Sequence, residues 1–372
     1  MTAVPFVDLA AAHAEVDEEI REGFDRVLAT TAFVQGPDVA DFEREYAAFA
    51  GAAHCVGVGN GTDAIELALR ALGIGPDAEV VLPANTFVAT VEAVLRAGAR
   101  PVLVDVDPDH LLIDPARAAS AVRPSTGAIV PVHLYGQLAP MAPLLELGPP
   151  VIEDAAQSQG AIQHGIGFFG ALAATSFYPG KNLGAYGDAG AVVTGSVELA
   201  RAVRLLSNHG SETKYHHETL GFNSRLDTLQ AVVLRAKLRR LAEWNELRRA
   251  AAERYSSLLA DLPGVVPPVQ APGNRHVWHL YVIRVSPLDG SARGSNRRDQ
   301  VARTLGELGI GCGVHYPVPA HLAPAFRSLG YAPGDFPVTE AAADEILSLP
   351  MFPHITEDQQ VRTVEALRKA LS

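Results

Sequence analysis

The chain has 372 residues, 48% apolar and 19% charged: too long for one compact core of usual size, and of ordinary composition for a globular enzyme. Its 30 basic and 42 acidic residues give a net charge of −12, which argues against unassisted nucleic-acid binding, although local arginines and helix N-termini can still hold an anionic small molecule. No apolar run reaches membrane-spanning length, the N-terminus lacks a basic-then-apolar signal pattern, and the two isolated cysteines, Cys55 and Cys312, suggest neither zinc nor disulfide, so a reduced, cytoplasmic setting without a metal site is expected.

Residues 4–9 read as an extended arm. Val16, Ile20, Phe24 and Leu28 recur every four residues and predict a helix over 15–28. A second helix opens with Pro37 in its first turn, carries Val39, Phe42, Tyr46 and Phe49 on one face, and stops at Gly51. Strands are then predicted at 54–58, 79–82, 101–106, 128–132 and 151–153, with helices at 63–72, 87–97, 115–122 and 141–147. This alternation, with continuous Val/Ile/Leu strands, implies an α/β fold with a mostly parallel sheet covered on both faces, extended by 171–178 and 189–194. A long helix is predicted over 225–259, its basic clusters (Arg235, Lys237, Arg239 and Arg240, then Arg248 and Arg249) read as a solvated face. Proline-rich 263–272 reads as a linker between a large unit, 1–260, and a smaller α+β unit, 261–372. The smaller unit is expected to hold a strand at 280–285 and helices at 299–308, 339–347 and 357–371.

Three stretches carry chemistry. In Ser176-Phe177-Tyr178-Pro179-Gly180-Lys181-Asn182-Leu183-Gly184-Ala185-Tyr186-Gly187-Asp188-Ala189-Gly190, one lysine sits between an apolar strand and a glycine-rich turn. A confined ammonium shifts its pKa and becomes nucleophilic, which makes Lys181 a Schiff-base candidate; an ordinary turn lysine is the alternative. Gly59-Asn60-Gly61-Thr62-Asp63 lies between a strand and a helix, where backbone N–H groups and the Thr62 hydroxyl can hold an anion, or where Thr62 or Asp63 simply caps the helix. Val151-Ile152-Glu153-Asp154 ends a buried strand in an acid, at the sheet edge where catalytic groups gather; a helix-capping aspartate is the alternative.

In this order, and with Val4-Pro5-Phe6-Val7-Asp8-Leu9 at one end and Phe352-Pro353 at the other, these motifs resemble the DegT/DnrJ/EryC1/StrS family of pyridoxal phosphate (PLP)-dependent nucleotide-sugar aminotransferases. The resemblance implies a fold-type I PLP transferase, like aspartate aminotransferase, with a large mixed-sheet unit and a smaller C-terminal α+β unit. It implies that Lys181 holds PLP as a Schiff base and moves protons, that Asp154 keeps the pyridine nitrogen protonated, and that Gln157 contacts the ring-hydroxyl side. It places Gly61, Thr62 and Ser176 on the phosphate. Phe87, in Pro83-Ala84-Asn85-Thr86-Phe87, would stack on the ring, with a helix-packing role as the alternative. Asn223 lies in the family's segment that crosses to the partner subunit, which implies a homodimer with shared active sites. Tyr178, His315 and Tyr316 fall on the substrate side.

His133-Leu134-Tyr135-Gly136-Gln137 also occurs in the sugar aminotransferases. Ser-Phe-Tyr-Pro-Gly-Lys-Asn resembles enzymes of 3-keto sugars more than the Ser-Phe-His-x-x-Lys type that aminates C4. A dTDP-3-keto-6-deoxyhexose is therefore the expected substrate, within deoxyamino-sugar or antibiotic biosynthesis, and glutamate the expected donor. The alternatives are a C4 aminotransferase, an aminohydroxybenzoate synthase-like enzyme, and a catalytically silent paralogue acting as a subunit or regulator. The related dehydratases carry histidine in place of the lysine, and Lys181 argues against that reading. Two departures stand out: Gly165-Ile166-Gly167-Phe168-Phe169-Gly170 replaces a usually basic, polar lead-in, and the aromatic usual before Gln35-Gly36-Pro37 is displaced.

Overall fold

The computed structural model describes residues 3–286 and 297–372. The N-terminal arm is extended only to Asp8. Val4 bridges in parallel to Ile310, and the Asp8 carboxylate accepts the Ala10 and Ala11 N–H groups to open α1 (Leu9–Ala14). α2 (Asp17–Thr30) buries Ile20 and Val27 and packs beside buried Val16, yet Leu28 is 58% exposed. A strict interval of four overruns the 3.6-residue turn, so three turns on the inward position has slipped back by one residue. α3 (Pro37–Ala50) begins and ends as expected, with Gly51 in the left-handed region at φ 74°.

The alternation then appears as β1 (His54–Val58), α4 (Gly61–Ala71), β2 (Glu79–Pro83), α5 (Val88–Arg96), β3 (Arg100–Val104), α6 (Pro115–Ala121), β4 (Thr126–Ile129), α7 (Met141–Leu145) and β5 (Ile152–Asp154). β6 (Ile162–Gln163), β7 (Leu172–Ser176) and β8 (Gly190–Thr194) follow. Parallel bridges Ile129–Val151 and Val132–Asp154 join two sets of strands into the order β1-β8-β7-β5-β4-β2-β3, in which β8 runs antiparallel to both of its neighbours. Successive side chains face opposite ways: Val80 and Leu82 enter the cluster that includes Leu67 and Val91 of α4 and α5, whereas Val81 joins Ala118 and Leu144 of α6 and α7.

α8 (Val197–Ser207) leads to α9 (Thr228–Leu259), which starts three residues later than the basic and apolar pattern predicts. The solvated-face reading of its basic clusters holds for Arg239 and Arg240, which are exposed, but not for Arg235, Lys237 or Arg248. Arg235 sits among Asp38, Asp41 and Glu45, Lys237 is 6% exposed, and Arg248 is buried against the carbonyls of Trp278 and Met351. The helix crosses the molecule's interior: Leu234, Leu238 and Leu241 belong to one core, and Tyr255 and Leu259 to a second. Its inward cations, Arg235, Lys237 and Arg248, are therefore met by carboxylates and carbonyls rather than by water.

The expected linker contains β9 (Val265–Val266), and β10 (Asn274–Arg275) pairs with β6. β9 pairs with β11 (Tyr281–Val285). α10 (Arg297–Glu307) follows the undescribed stretch. α11 (Pro337–Glu345) begins and ends two residues before the expected helix over 339–347, and Ile346–Leu349 instead forms β12, buried throughout beside β11. α12 (Glu357–Leu371) is opened by a Thr356/Gln359 capping box. The second core gathers Val4, Tyr255, Tyr281, Ile283, Leu349 and Leu367. Among the described residues no helix is long and apolar enough to cross a membrane.

Candidate active site

α4 follows β1 and packs against β5 and β7, its first residue, Gly61, lying against Ser176 at the carboxyl end of β7. Asn60, not Thr62 or Asp63, caps that helix: its Oδ1 accepts the Asp63 N–H at 2.8 Å. The Gly61 and Thr62 N–H groups thus head the helix beside the positive end of its dipole. Asp63 takes the Arg96 guanidinium at 3.0 Å and the Ser224 hydroxyl at 2.8 Å. Two glycines here are required by close approach, not by turn geometry. A Cβ on Gly61 would lie 2.6 Å from Ser176 Cβ, and one on Gly190 would lie 2.5 Å from the Asn60 carbonyl carbon. Gly61 and Ser176 therefore form two touching walls of one cradle.

Asp154 ends β5 at 5% exposure. Its Oδ2 accepts from the Thr90 hydroxyl at 2.8 Å and its Oδ1 from the Ala156 N–H at 3.2 Å. Burial raises the carboxyl's pKa above its ordinary value, opposed by the Thr90 and Ala156 hydrogen bonds and by the Lys181 charge. Its neighbour Glu153 faces the other side of the sheet. Glu153 Oε2 lies 2.7 Å from His133 Nε2, and Oε1 accepts the Phe169 and Gly170 N–H groups at 2.8 and 2.6 Å. The Ala139 N–H donates to His133 Nδ1 at 3.1 Å, so the ring proton sits on Nε2 and is donated to Glu153. The unusual loop before β7 thus fixes the carboxylate behind Asp154 through backbone N–H groups, which any sequence can supply.

Lys181 follows β7 in a tight loop, half-buried, its N–H donating to the Tyr178 carbonyl at 2.8 Å. Burial lowers its ammonium to a pKa of about 8, against the opposing pull of Asp154. Asn182 is buried and donates to Asn245 Oδ1 and the Val277 carbonyl, both at 2.9 Å. The Lys181 charge reaches two histidines. His279 is held well below its usual basicity by burial and then by Lys181, and His315 is held at about 4 by the same two causes.

Phe87 is 49% exposed at the head of α5, its ring centroid 5.2 Å from that of Tyr316, which removes the helix-packing alternative. Gln157 ties the same wall together: Oε1 accepts the Tyr135 N–H at 2.6 Å and Nε2 donates to the Tyr316 hydroxyl at 3.2 Å. His315 Nδ1 lies 2.8 Å from Ser348 Oγ, and its ring stacks on Phe6 at 5.6 Å. Tyr178 is 59% exposed at the rim. Asn223 is also exposed, on a bridge with Asn208, while the adjacent Ser224 hydroxyl accepts the Gly59 N–H at 3.0 Å.

Sequence reasoning missed Thr90, Ser224, His279 and Lys237. Thr90 lay within reach of it, three residues after Phe87 and so on the same helical face. His279 carries no local signal at all.

The lowered Lys181 pKa has a measurable consequence. Only the free amine attacks a carbonyl, and for Lys181 that form grows in as pH rises through about 8. In the cofactor-free protein, attachment of PLP at Lys181 should climb with pH to a midpoint near that value and then level. An unperturbed lysine would keep gaining reactivity toward roughly pH 10.4. Borohydride-trapped label at Lys181, counted against pH, checks this; a midpoint at the ordinary lysine value contradicts it.

The sequence profile described as the DegT/DnrJ/EryC1/StrS aminotransferase family matches residues 14–368. The chain belongs to that family. It is similar to the dTDP-3-amino-3,4,6-trideoxy-alpha-D-glucose transaminase of Streptomyces venezuelae, with 46% identity over 98% of this chain and 96% of that protein. It is 44% identical, over 100% of this chain and 98% of that one, to the UDP-N-acetyl-3-dehydro-alpha-D-glucosamine 3-aminotransferase of Acidithiobacillus ferrooxidans. Its backbone matches that of S. venezuelae DesV, solved in complex with a ketimine intermediate, at a TM-score of 0.95, 45% identity, 100% of this chain and 99% of that one.

As a DegT/DnrJ/EryC1/StrS aminotransferase the chain is a PLP-dependent enzyme of fold-type I, and its own residues fit the cofactor. The open N–H groups of α4 beside Ser176 suit a phosphate. The buried Asp154 carboxylate suits a pyridinium, the half-buried Lys181 amine an aldehyde, and the exposed Phe87 face an aromatic ring.

Proposed function

We propose that the protein transfers an amino group, from glutamate, to C3 of a dTDP-linked 3-keto-6-deoxyhexose in deoxyamino-sugar biosynthesis, in the cytoplasm. The carrying observation is the 46% identity, over nearly the whole of both chains, to a dTDP-3-amino-sugar transaminase; the sugar 3-aminotransferase at 44% also acts at C3 by its name. Bound PLP supplies an electron sink for the carbon that gives up or receives the amino group. Lys181 Nζ would hold the cofactor and, as a free amine, would take up and return the substrate proton. Asp154 keeps a proton on the pyridine nitrogen, held at the right angle by Thr90. Gly61, Thr62 and Ser176 bind the phosphate, Phe87 covers the ring, and Gln157 sits by the ring hydroxyl. His315, Tyr316 and Tyr178 line the sugar side, and 1–260 and 261–372 are the two units that enclose it.

The test is a panel offered with glutamate and read by product mass: dTDP-linked 3-keto and 4-keto 6-deoxyhexoses, a UDP-linked 3-keto-N-acetylhexosamine and a carbocyclic ketone. Amination of the dTDP 3-keto sugar above all others supports the reading. Preference for the UDP sugar or for the 4-keto isomer overturns its substrate, and no amination of any member returns the silent-paralogue alternative.

The reading includes a homodimer in which Asn223 serves the partner's phosphate site. The polar stretch over 211–224 is exposed from 212 to 220; such a stretch is costly to order unless it docks on something, and a two-fold dimer would seat both copies symmetrically. Ser224 nevertheless touches its own chain's α4, so the direction needs a test. Lys181→Ala and Asn223→Ala, each weak or inactive alone, should regain activity when mixed, because a mixed dimer then holds one site free of both changes. No recovery on mixing contradicts the shared site.

A further inference from the structure

The Lys181 loop is gripped from outside by one stripe of α9. Gln230, Lys237 and Asn245 follow at intervals of seven and eight residues, about two helical turns each, so they share a face. Gln230 Oε1 accepts the Tyr186 N–H at 2.8 Å. Lys237 Nζ donates to the Gly184 carbonyl at 2.7 Å and lies 4.4 Å from the Tyr186 ring centroid. Asn245 Oδ1 accepts from Asn182 at 2.9 Å, while its Nδ2 donates, also at 2.9 Å, to the Gln159 carbonyl in the segment that follows Asp154. The loop is closed on its other side as well, since a Cβ at Gly184 would overlap the Pro179 carbonyl oxygen.

We propose that α9 is the brace of the active site, with Gln230, Lys237 and Asn245 as positioning residues that hold the Lys181 loop in register with the Asp154 segment. Resting on the reading that Lys181 carries the cofactor, this assigns a use to a lysine that stability does not explain. Lys237 is 6% exposed, and its ammonium is met by one carbonyl and one ring. Asp8 of the N-terminal arm, Lys181 of the loop and Arg248 of α9 line the same small cavity, and no carboxylate among the described residues pairs with Lys237. A buried cation without a counter-charge is costly, and methionine of similar length would fill the space without that cost. Burial alone brings Lys237 down to about 8, and Lys237 is not among the charges that shift Lys181. It acts on Lys181 through the backbone of Gly184, by position rather than by charge.

The test uses the full chain, freed of cofactor and reloaded with PLP, with borohydride-trapped label at Lys181 followed against time and pH. Lys237→Met should slow capture by about 10- to 100-fold at every pH, the scale of a reacting group displaced by about an ångström, with Lys237→Gln, which keeps a donor, in between. The pH midpoint should stay at the wild-type value, since the burial of Lys181 and its Asp154 partner are untouched. A purely structural Lys237 would lower the melting temperature and leave capture by the folded protein unchanged, so wild-type capture in folded Lys237→Met overturns the proposal. So does a moved midpoint at an unchanged rate. If Lys237→Met does not fold, Gln230→Met at the half-buried end of the stripe replaces it, with several-fold slower capture expected and a wild-type rate contradicting the brace. Label on another lysine in the wild-type chain would instead sink the underlying reading of Lys181, which keeps the two failures apart.

Discussion

Lys181→Ala is expected to lower turnover by about 10⁴-fold or more, the upper end of what one positioned proton-transfer group contributes. The protein should keep its fold and still bind pyridoxamine phosphate, because the α4 cradle, Asp154 and Phe87 remain. The expectation follows from three facts about one amine. Lys181 lies in a loop closed by Gly184 against Pro179, burial brings its pKa to about 8, and its charge is coupled to Asp154, His279 and His315. A rival exists within the same fold, since Lys237 is also lowered to about 8. Its Nζ, however, is engaged by the Gly184 carbonyl and the Tyr186 ring. Lys237→Met should therefore lose far less activity than Lys181→Ala. Retention of more than a hundredth of wild-type turnover by Lys181→Ala would remove it from the chemistry.

Asp154→Asn is expected to cost about 10²- to 10³-fold in turnover, the scale of removing one preorganised electrostatic contact. The amide keeps the shape: its oxygen can still accept the Ala156 N–H, and its NH2 can donate to the Thr90 hydroxyl, which turns its own proton to Thr86 Oγ1 at 2.6 Å, so the packing survives. It cannot hold a proton on the pyridine nitrogen. Because burial already works against the carboxylate, the neutral side chain should leave the melting temperature nearly unchanged. PLP should bind, more weakly. The check is turnover and cofactor content on the same folded sample; near wild-type turnover in a PLP-loaded variant contradicts the role. Thr90→Val should follow in the same direction with a smaller loss, since it removes only the hydroxyl that orients Asp154 Oδ2.

The alternation of strands and helices was legible because each strand is covered on both faces, so that Val80, Val81 and Leu82 are all apolar although they point into different layers. The lysine, acid and glycine motifs were legible because their chemistry tolerates few substitutes. Elements that depend on distant partners were not. Ile346–Leu349 continues a helical pattern in sequence and becomes a strand only because Tyr281–Val285 lies open beside it. Val265–Val266 is hidden among prolines until β11 pairs with it. The basic run on α9 looks solvated in sequence, and only the packing of α3 and the Lys181 loop against it turns Arg235 and Lys237 into buried partners. Asn60 rather than Thr62 or Asp63 caps α4 because the helix opens at Gly61, which puts Thr62 and Asp63 inside its first turn, where Asp63 meets Arg96 and Ser224 from remote parts of the chain.

The central claim is that this PLP-dependent family member works through Lys181, and borohydride reduction of the PLP-loaded protein followed by peptide mapping tests it most directly. Reduction fixes the cofactor on the lysine that holds it. The account predicts a single labelled peptide containing Lys181, with no label in Lys181→Ala and full label in Asn223→Ala reloaded with excess PLP. Label on Lys237 or any other lysine, or none on a protein that carries its cofactor, would contradict it.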